Sequence, residues 1–184
     1  MTALIRVLYA ALLLGAAAPD APPEPSDYRM SDYRAPTPTT LRGATVLTTD
    51  QARVLWERDA AVFIDVMPQV PRPPGLPAST IWRDKPRQDV PGSIWLPDTG
   101  YGALAPVMQQ YFEHGLEQAS NGDRDRLLVF YCLASCWMSW NAAKRAIALG
   151  YIHVAWYPEG TDGWAAEHLP LEPRTPLQRP STTE

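Results

Sequence analysis

Between residues 41 and 171 the chain alternates short apolar runs with stretches whose apolar positions recur every three or four residues. Ala52, Leu55 and Trp56 follow this helical spacing behind Thr48, Thr49 and Asp50, any of which can cap an N-terminus, so a helix is expected over about 49–58. AVFIDV follows at 61–66, with the β-branched and aromatic content of a strand buried on both faces. The segment 67–97 holds eight prolines and is expected to be a long structured loop, broken only by a short strand at 93–96. A helix over 106–116 with Val107, Tyr111 and Leu116 inward comes next, and a polar linker, ASNGDRD, at 119–125. The strand LLVFY at 127–131 then runs directly into Cys132. Ala143, Ala146 and Ile147 mark a further helix that stops at Gly150, a strand is expected at 152–156, and YPEGTDGW reads as a loop before a flexible proline-rich tail, 172–184. Helices alternating with apolar strands predict an α/β fold whose central, largely parallel sheet carries helices on both faces.

The first 40 residues follow a different pattern. Residues 1–17 carry Arg6, an apolar run from Val7 to Leu14 and then small residues, the layout of a signal peptide; the run is too short for a resident membrane span of about 20 residues. This predicts export to the periplasm. Residues 18–40 are rich in proline and polar side chains and contain SDYR twice, at 26–29 and 31–34. They read either as an extended, solvated tether or as an amphipathic strip in which Tyr28, Arg29, Tyr33 and Arg34 lie on the domain or on a partner. Sixteen basic against twenty acidic residues, with no basic run, exclude a nucleic-acid footprint and an anionic-membrane patch.

The chain has two cysteines, both in YCLASCWMSW. A cysteine at the carboxyl end of a parallel strand and before a helix faces inward-pointing backbone N–H groups, which stabilise a thiolate or a bound anion. Cys132 has that position. Cys136 lies four residues on, and a helically turning loop would bring the two α-carbons to roughly 6 Å, within disulfide range. Trp137 can cover the sulfurs, and Ser139 can cap the helix or donate to the Cys132 thiolate. A structural clasp, a redox pair, a nucleophile with a resolving thiol and a Cu(I) clip completed by His153 are all open at this level. Arg83, Lys85 and Arg87 form a cationic cluster able to face an anionic substrate.

FIDV at 63–66, DVPGSIWLP at 89–97, the strand–Cys132 loop–AAKRA helix and the terminal PEGTDGW together resemble the landmarks of a rhodanese-like domain over 41–171. CLASCWMSWNAAKRA and the YRAPTP leader further resemble a small exported family named for a CXXCW motif and associated with pyrroloquinoline quinone-dependent alcohol catabolism, with C-x-x-x-C-W here. The superfamily resemblance implies Cys132 as a persulfide-forming nucleophile and Asp65 as a structural acid near the loop. Active sulfurtransferases commonly place an arginine at the end of this loop and another after the first Asp-Val. Trp137 or Met138 and Met67 stand at those places, leaving less positive charge for thiosulfate unless Arg83, Lys85 or Arg87 supplies it. The expected roles are therefore persulfide transfer or thiol–disulfide exchange, or an accessory or Cu(I)-chaperone role. The partner implied is a quinoprotein alcohol dehydrogenase or its cytochrome c. No cofactor-binding motif is present; the absence of C-x-x-C-H means that the chain is not itself a c-type cytochrome.

Overall fold

The computed structural model describes residues 21–77, 79–83 and 85–179, so the expected signal peptide lies outside the described residues. A five-stranded parallel sheet has the order β1 (Ala44–Val46), β6 (Val154–Trp156), β5 (Leu128–Tyr131), β2 (Val62–Asp65), β4 (Ile94–Trp95). Side chains alternate across it with period two. Leu128, Phe130 and Cys132 join Ile64, Val66, Val154 and Trp156 under α2 (Pro106–Ser120) and α3 (Trp137–Ala148). Val129 and Tyr131 join Phe63, Ala155 and Tyr157 under α1 (Thr49–Glu57) and α4 (Gly160–Ala166). The architecture is the expected α/β one, with helices on both faces of a parallel sheet.

Thr48 caps α1 through a reciprocal capping box with Gln51, and α2 begins with Pro106 at its first turn. Four expectations change. Helix α2 runs on through Ala119 and Ser120, both buried, and stops at Asn121 in the left-handed conformation, so the polar linker starts later than its composition suggests. Val107 is largely exposed, and Met108 packs against the core in its stead. The YPEGTDGW segment contains α4, because the fully buried Trp164 outweighs the two helix-weakening glycines. In the proline-rich stretches, β3 (Arg87–Asp89) and β7 (Glu172–Arg174) pair as an antiparallel ribbon.

The tail continues past β7 along the sheet edge rather than hanging free. Leu177 N–H donates to Trp95 O at 2.9 Å, and Tyr111 Oη donates to Leu177 O at 2.7 Å. The described part of the leader is likewise held against the domain, through Tyr28, Arg29 and Tyr33, while Arg34 of the strip is exposed. Among the described residues no helix is long and apolar enough to cross a membrane.

Candidate functional site

Strand β5 delivers Cys132 to the carboxyl edge of the sheet, and Cys136 is the N-cap residue of α3. Ser135, with φ of 52°, adopts the left-handed conformation that turns the loop back on itself. The two cysteines are joined in a disulfide with α-carbons 6.3 Å apart, and both are buried. Cys132 Sγ lies 3.6 Å from Met67 Sδ, so a soft thioether faces the sulfur at the place after Asp-Val.

Beneath the loop is a buried charged cluster. Arg87 Nε donates to Asp65 Oδ2 at 2.7 Å, while Arg87 Nη2 reaches the Thr161 hydroxyl at 3.0 Å and the Cys132 carbonyl at 3.3 Å. Thr161 N–H donates to that same carbonyl at 3.0 Å. Gly160, at φ of 53°, permits this approach of α4: a Cβ there would lie 2.5 Å from Cys132 O. Tyr131 Oη donates to Asp89 Oδ1. Burial pushes Asp65 up to about 7, with the nearby Asp89 carboxylate adding to the rise and Arg87 opposing it. Burial also raises Asp89 and holds the Tyr131 phenol well above its ordinary value. Two carboxyls facing one guanidinium retain a proton into the neutral range.

Two of the loop donors that could cradle an anion have protein partners. Ala134 N–H donates to Asp162 Oδ2 at 3.0 Å, placing a carboxylate beside the loop. Trp137 N–H, at the first turn of α3, donates to Tyr33 O at 2.9 Å. The leader continues across the helix: Trp137 Nε1 donates to Pro36 O at 3.1 Å and Trp140 Nε1 to Thr40 O at 3.1 Å. The Arg29 guanidinium stacks 5.1 Å from the Trp137 ring centre.

The structure brings together Cys132, Cys136, Asp65 and Arg87 as the sequence suggested, but several expected roles change. Arg87 is turned inward to Asp65 and the Cys132 carbonyl, and does not form an anion-binding cluster with Arg83 and Lys85, which are exposed on the preceding loop. Ser139 Oγ donates to Cys136 O at 3.1 Å and accepts from Trp156 Nε1 at 3.0 Å, so it braces the start of α3 and does not address the Cys132 sulfur. Trp137 serves the leader. His153 precedes β6, and its carbonyl pairs with Leu128 N–H at the opposite end of β5 from Cys132. Four strand residues at about 3.3 Å each separate the two ends, so His153 cannot complete a Cu(I) site with the cysteines.

Asp89, Tyr131, Thr161 and Asp162 were not foreseen as site residues, and Met67 was read only as standing where an arginine is common. Their only sequence-level signals were adjacency to a recognised landmark: Tyr131 precedes Cys132, and Asp89 opens DVPGS.

A family model described as the rhodanese-like domain matches residues 48–167. No curated protein matches the chain. Among solved structures, the polysulfide-sulfur transferase homodimer from Wolinella succinogenes is 19% identical over 72% of this chain and 81% of its own, with a TM-score of 0.44. A possible tyrosine phosphatase from Rhodopseudomonas palustris is 22% identical over 70% of this chain and 85% of its own, with a TM-score of 0.46. EanB in complex with ergothioneine is 18% identical over 78% of this chain and 34% of its own, with a TM-score of 0.50. At these identities the likeness concerns the fold.

Proposed function

We propose that this chain, which belongs to the rhodanese-like domain family, exchanges disulfides with protein thiols through Cys132 and Cys136. One observation carries the reading: the cysteine at the strand-to-helix switch is covalently paired with the residue that caps the following helix. A helix N-terminus stabilises a thiolate, which makes Cys136 a good leaving group when a partner thiolate attacks Cys132. That attack breaks the Cys132–Cys136 bond, forms a mixed disulfide at Cys132 and releases Cys136 as thiolate. A second thiolate of the partner then attacks its own sulfur in the mixed disulfide and releases Cys132. Two electrons pass from the partner dithiol to this pair, and the partner leaves as a disulfide.

Anionic sulfur donors fit less well. Asp162 occupies the Ala134 amide, Tyr33 O the Trp137 amide, and Arg87 is committed to Asp65. A thiosulfate at the loop would meet a carboxylate and lack a free guanidinium. The resemblance of CLASCWMSW to the exported CXXCW family supports placing the exchange in the periplasm, in service of a quinoprotein alcohol dehydrogenase or its cytochrome c. An oxidising compartment is where a cysteine pair of this kind is kept as a disulfide.

The test compares two reactions. Reduced thioredoxin, a protein dithiol, should reduce the Cys132–Cys136 bond, and oxidised thioredoxin should restore it. The reduced protein should form no thiocyanate from thiosulfate and cyanide. Sustained thiocyanate formation by a Cys136→Ser variant, with no exchange by the wild type, would replace this reading with sulfur transfer by Cys132 alone.

A further inference from the structure

The surface of α3 that the leader covers is built to hold polypeptide backbone. Asn141, fully buried, brackets one leader residue: Arg29 N–H donates to Asn141 Oδ1 at 2.9 Å, and Asn141 Nδ2 donates to Arg29 O at 2.9 Å. This paired contact reads an extended main chain as a neighbouring strand would. Trp137 N–H, Trp137 Nε1 and Trp140 Nε1 likewise donate to leader carbonyls, those of Tyr33, Pro36 and Thr40. Opposite them, Gly102 floors the groove: a Cβ there would lie 2.4 Å from Arg29 O and from Met30 Sδ. Arg145 holds that floor through the carbonyls of Thr99, Tyr101 and Gly102. Side-chain preference enters at three places. Arg29 stacks on Trp137, the Arg145 guanidinium lies 4.7 Å from the Tyr28 ring centre, and Tyr33 packs edge-on to Tyr101 and accepts from Gly102 N–H.

We propose that this groove is a binding site for an extended polypeptide segment of the thiol-bearing partner, and that the leader is its resident occupant. The proposal deepens the disulfide-exchange reading. The groove reaches the first turn of α3, directly after Cys136, where the leader places Tyr33 at the middle of its contacted stretch, so a segment in the same register carries a central thiol toward the buried disulfide. Because most contacts address backbone, the partner needs an extended conformation and an aromatic–arginine pair in place of Tyr28 and Arg29, not the leader's full sequence.

The test uses the full chain and, as probe, a synthetic peptide of residues 21–40. In wild type the tethered leader has an effective concentration in the millimolar range and excludes the probe. An Arg29→Ala, Tyr33→Ala double variant loosens the leader and should bind the probe saturably. A probe N-methylated at the Arg29 amide should bind roughly tenfold more weakly, because the donor to Asn141 is gone. Adding Gly102→Ala to the double variant should abolish binding, with an unchanged circular dichroism spectrum showing that the fold is intact. Absence of saturable binding to the folded double variant would overturn the proposal, as would equal binding of the N-methylated probe. A wild-type dimer that dissociates in the double variant would overturn the partner assignment and make a second copy's leader the occupant. Probe binding that persists when Cys132→Ser and Cys136→Ser are added to the double variant separates this outcome from the fate of the exchange chemistry.

Discussion

The backbone N–H of Trp137 donates to the carbonyl of Tyr33 at 2.9 Å, so the leader occupies one donor in the first turn of the helix behind the cysteine loop. An unsatisfied helix N-terminus attracts anions and lowers the pKa of a neighbouring thiol. Here one of its donors is occupied by a neutral carbonyl that a displacement can remove, which leaves more of that capacity for the Cys136 sulfur. Leader position and cysteine reactivity are thereby coupled.

The first prediction follows from that coupling. Loosening the leader with Arg29→Ala and Tyr33→Ala removes a cation–π contact and the Tyr33 anchor, together about 1–2 kcal/mol. Reduction of the disulfide by dithiothreitol should then accelerate about tenfold. Stopped alkylation and mass spectrometry would measure it, and an unchanged rate would show that the leader does not control access.

Cys136→Ser should cost little stability. A disulfide closing so short a loop contributes roughly 2 kcal/mol by the chain-entropy relation, equivalent to a fall in Tm of about 4–8 °C for a domain of this size. Failure of the variant to fold at 37 °C would make the bond a structural clasp.

Arg87→Ala should be far more damaging. It leaves Asp65 buried without its ion-pair partner and removes a donor from the Cys132 carbonyl, for a loss of about 3–5 kcal/mol. Arg87→Lys should recover little, because Nε and Nη2 are used in different directions and a single ammonium cannot serve both. Urea melts of the three proteins would check this ordering.

The Asp65–Asp89 pair sets a pH dependence. Asp65 is raised from an unfolded value of about 3.9 to about 7, so the folded state binds more protons than the unfolded one across that interval. The cluster's contribution to stability is therefore greatest below about pH 4, declines as pH rises and levels off above about 7. Asp89→Asn keeps an acceptor for Tyr131 while removing one charge, and should flatten the decline. Thermal melts from pH 4.5 to 8 would reveal it; an equally steep fall in the variant would remove Asp89 from the cause.

Much of the fold was legible because local and tertiary preferences agree. LLVFYC and AVFIDV are buried on both faces and read as parallel strands, and Thr48, one of three caps the sequence offered, starts α1. The missed elements are those where they conflict. Helix α4 carries Gly160 and Gly163 and is held by Trp164, while β3 and β7 lie among prolines and are held by each other and by the bonds of Arg87 and Asp89 to the domain.

The site divides in the same way. Cys132 and Cys136 could be found from a strand end and spacing, and Asp65 through the family resemblance. Arg87 could not be told from Arg83 and Lys85, since only the fold shows which of the three turns inward. The leader's role was visible as one of two readings of SDYR. Its counterpart on α3, the stripe Trp137, Asn141 and Arg145 at four-residue spacing, was present in a helix whose other polar residues are Ser139 and Lys144.

The most direct test of the central claim is a redox titration of the full chain in glutathione buffers, with alkylation of Cys132 and Cys136 followed alongside near-ultraviolet circular dichroism. The two cysteines should titrate together as one reversible two-electron couple while the aromatic spectrum of the folded domain persists in both states. Thiols that become available only as that spectrum collapses would contradict the account, and would make the Cys132–Cys136 bond part of the scaffold.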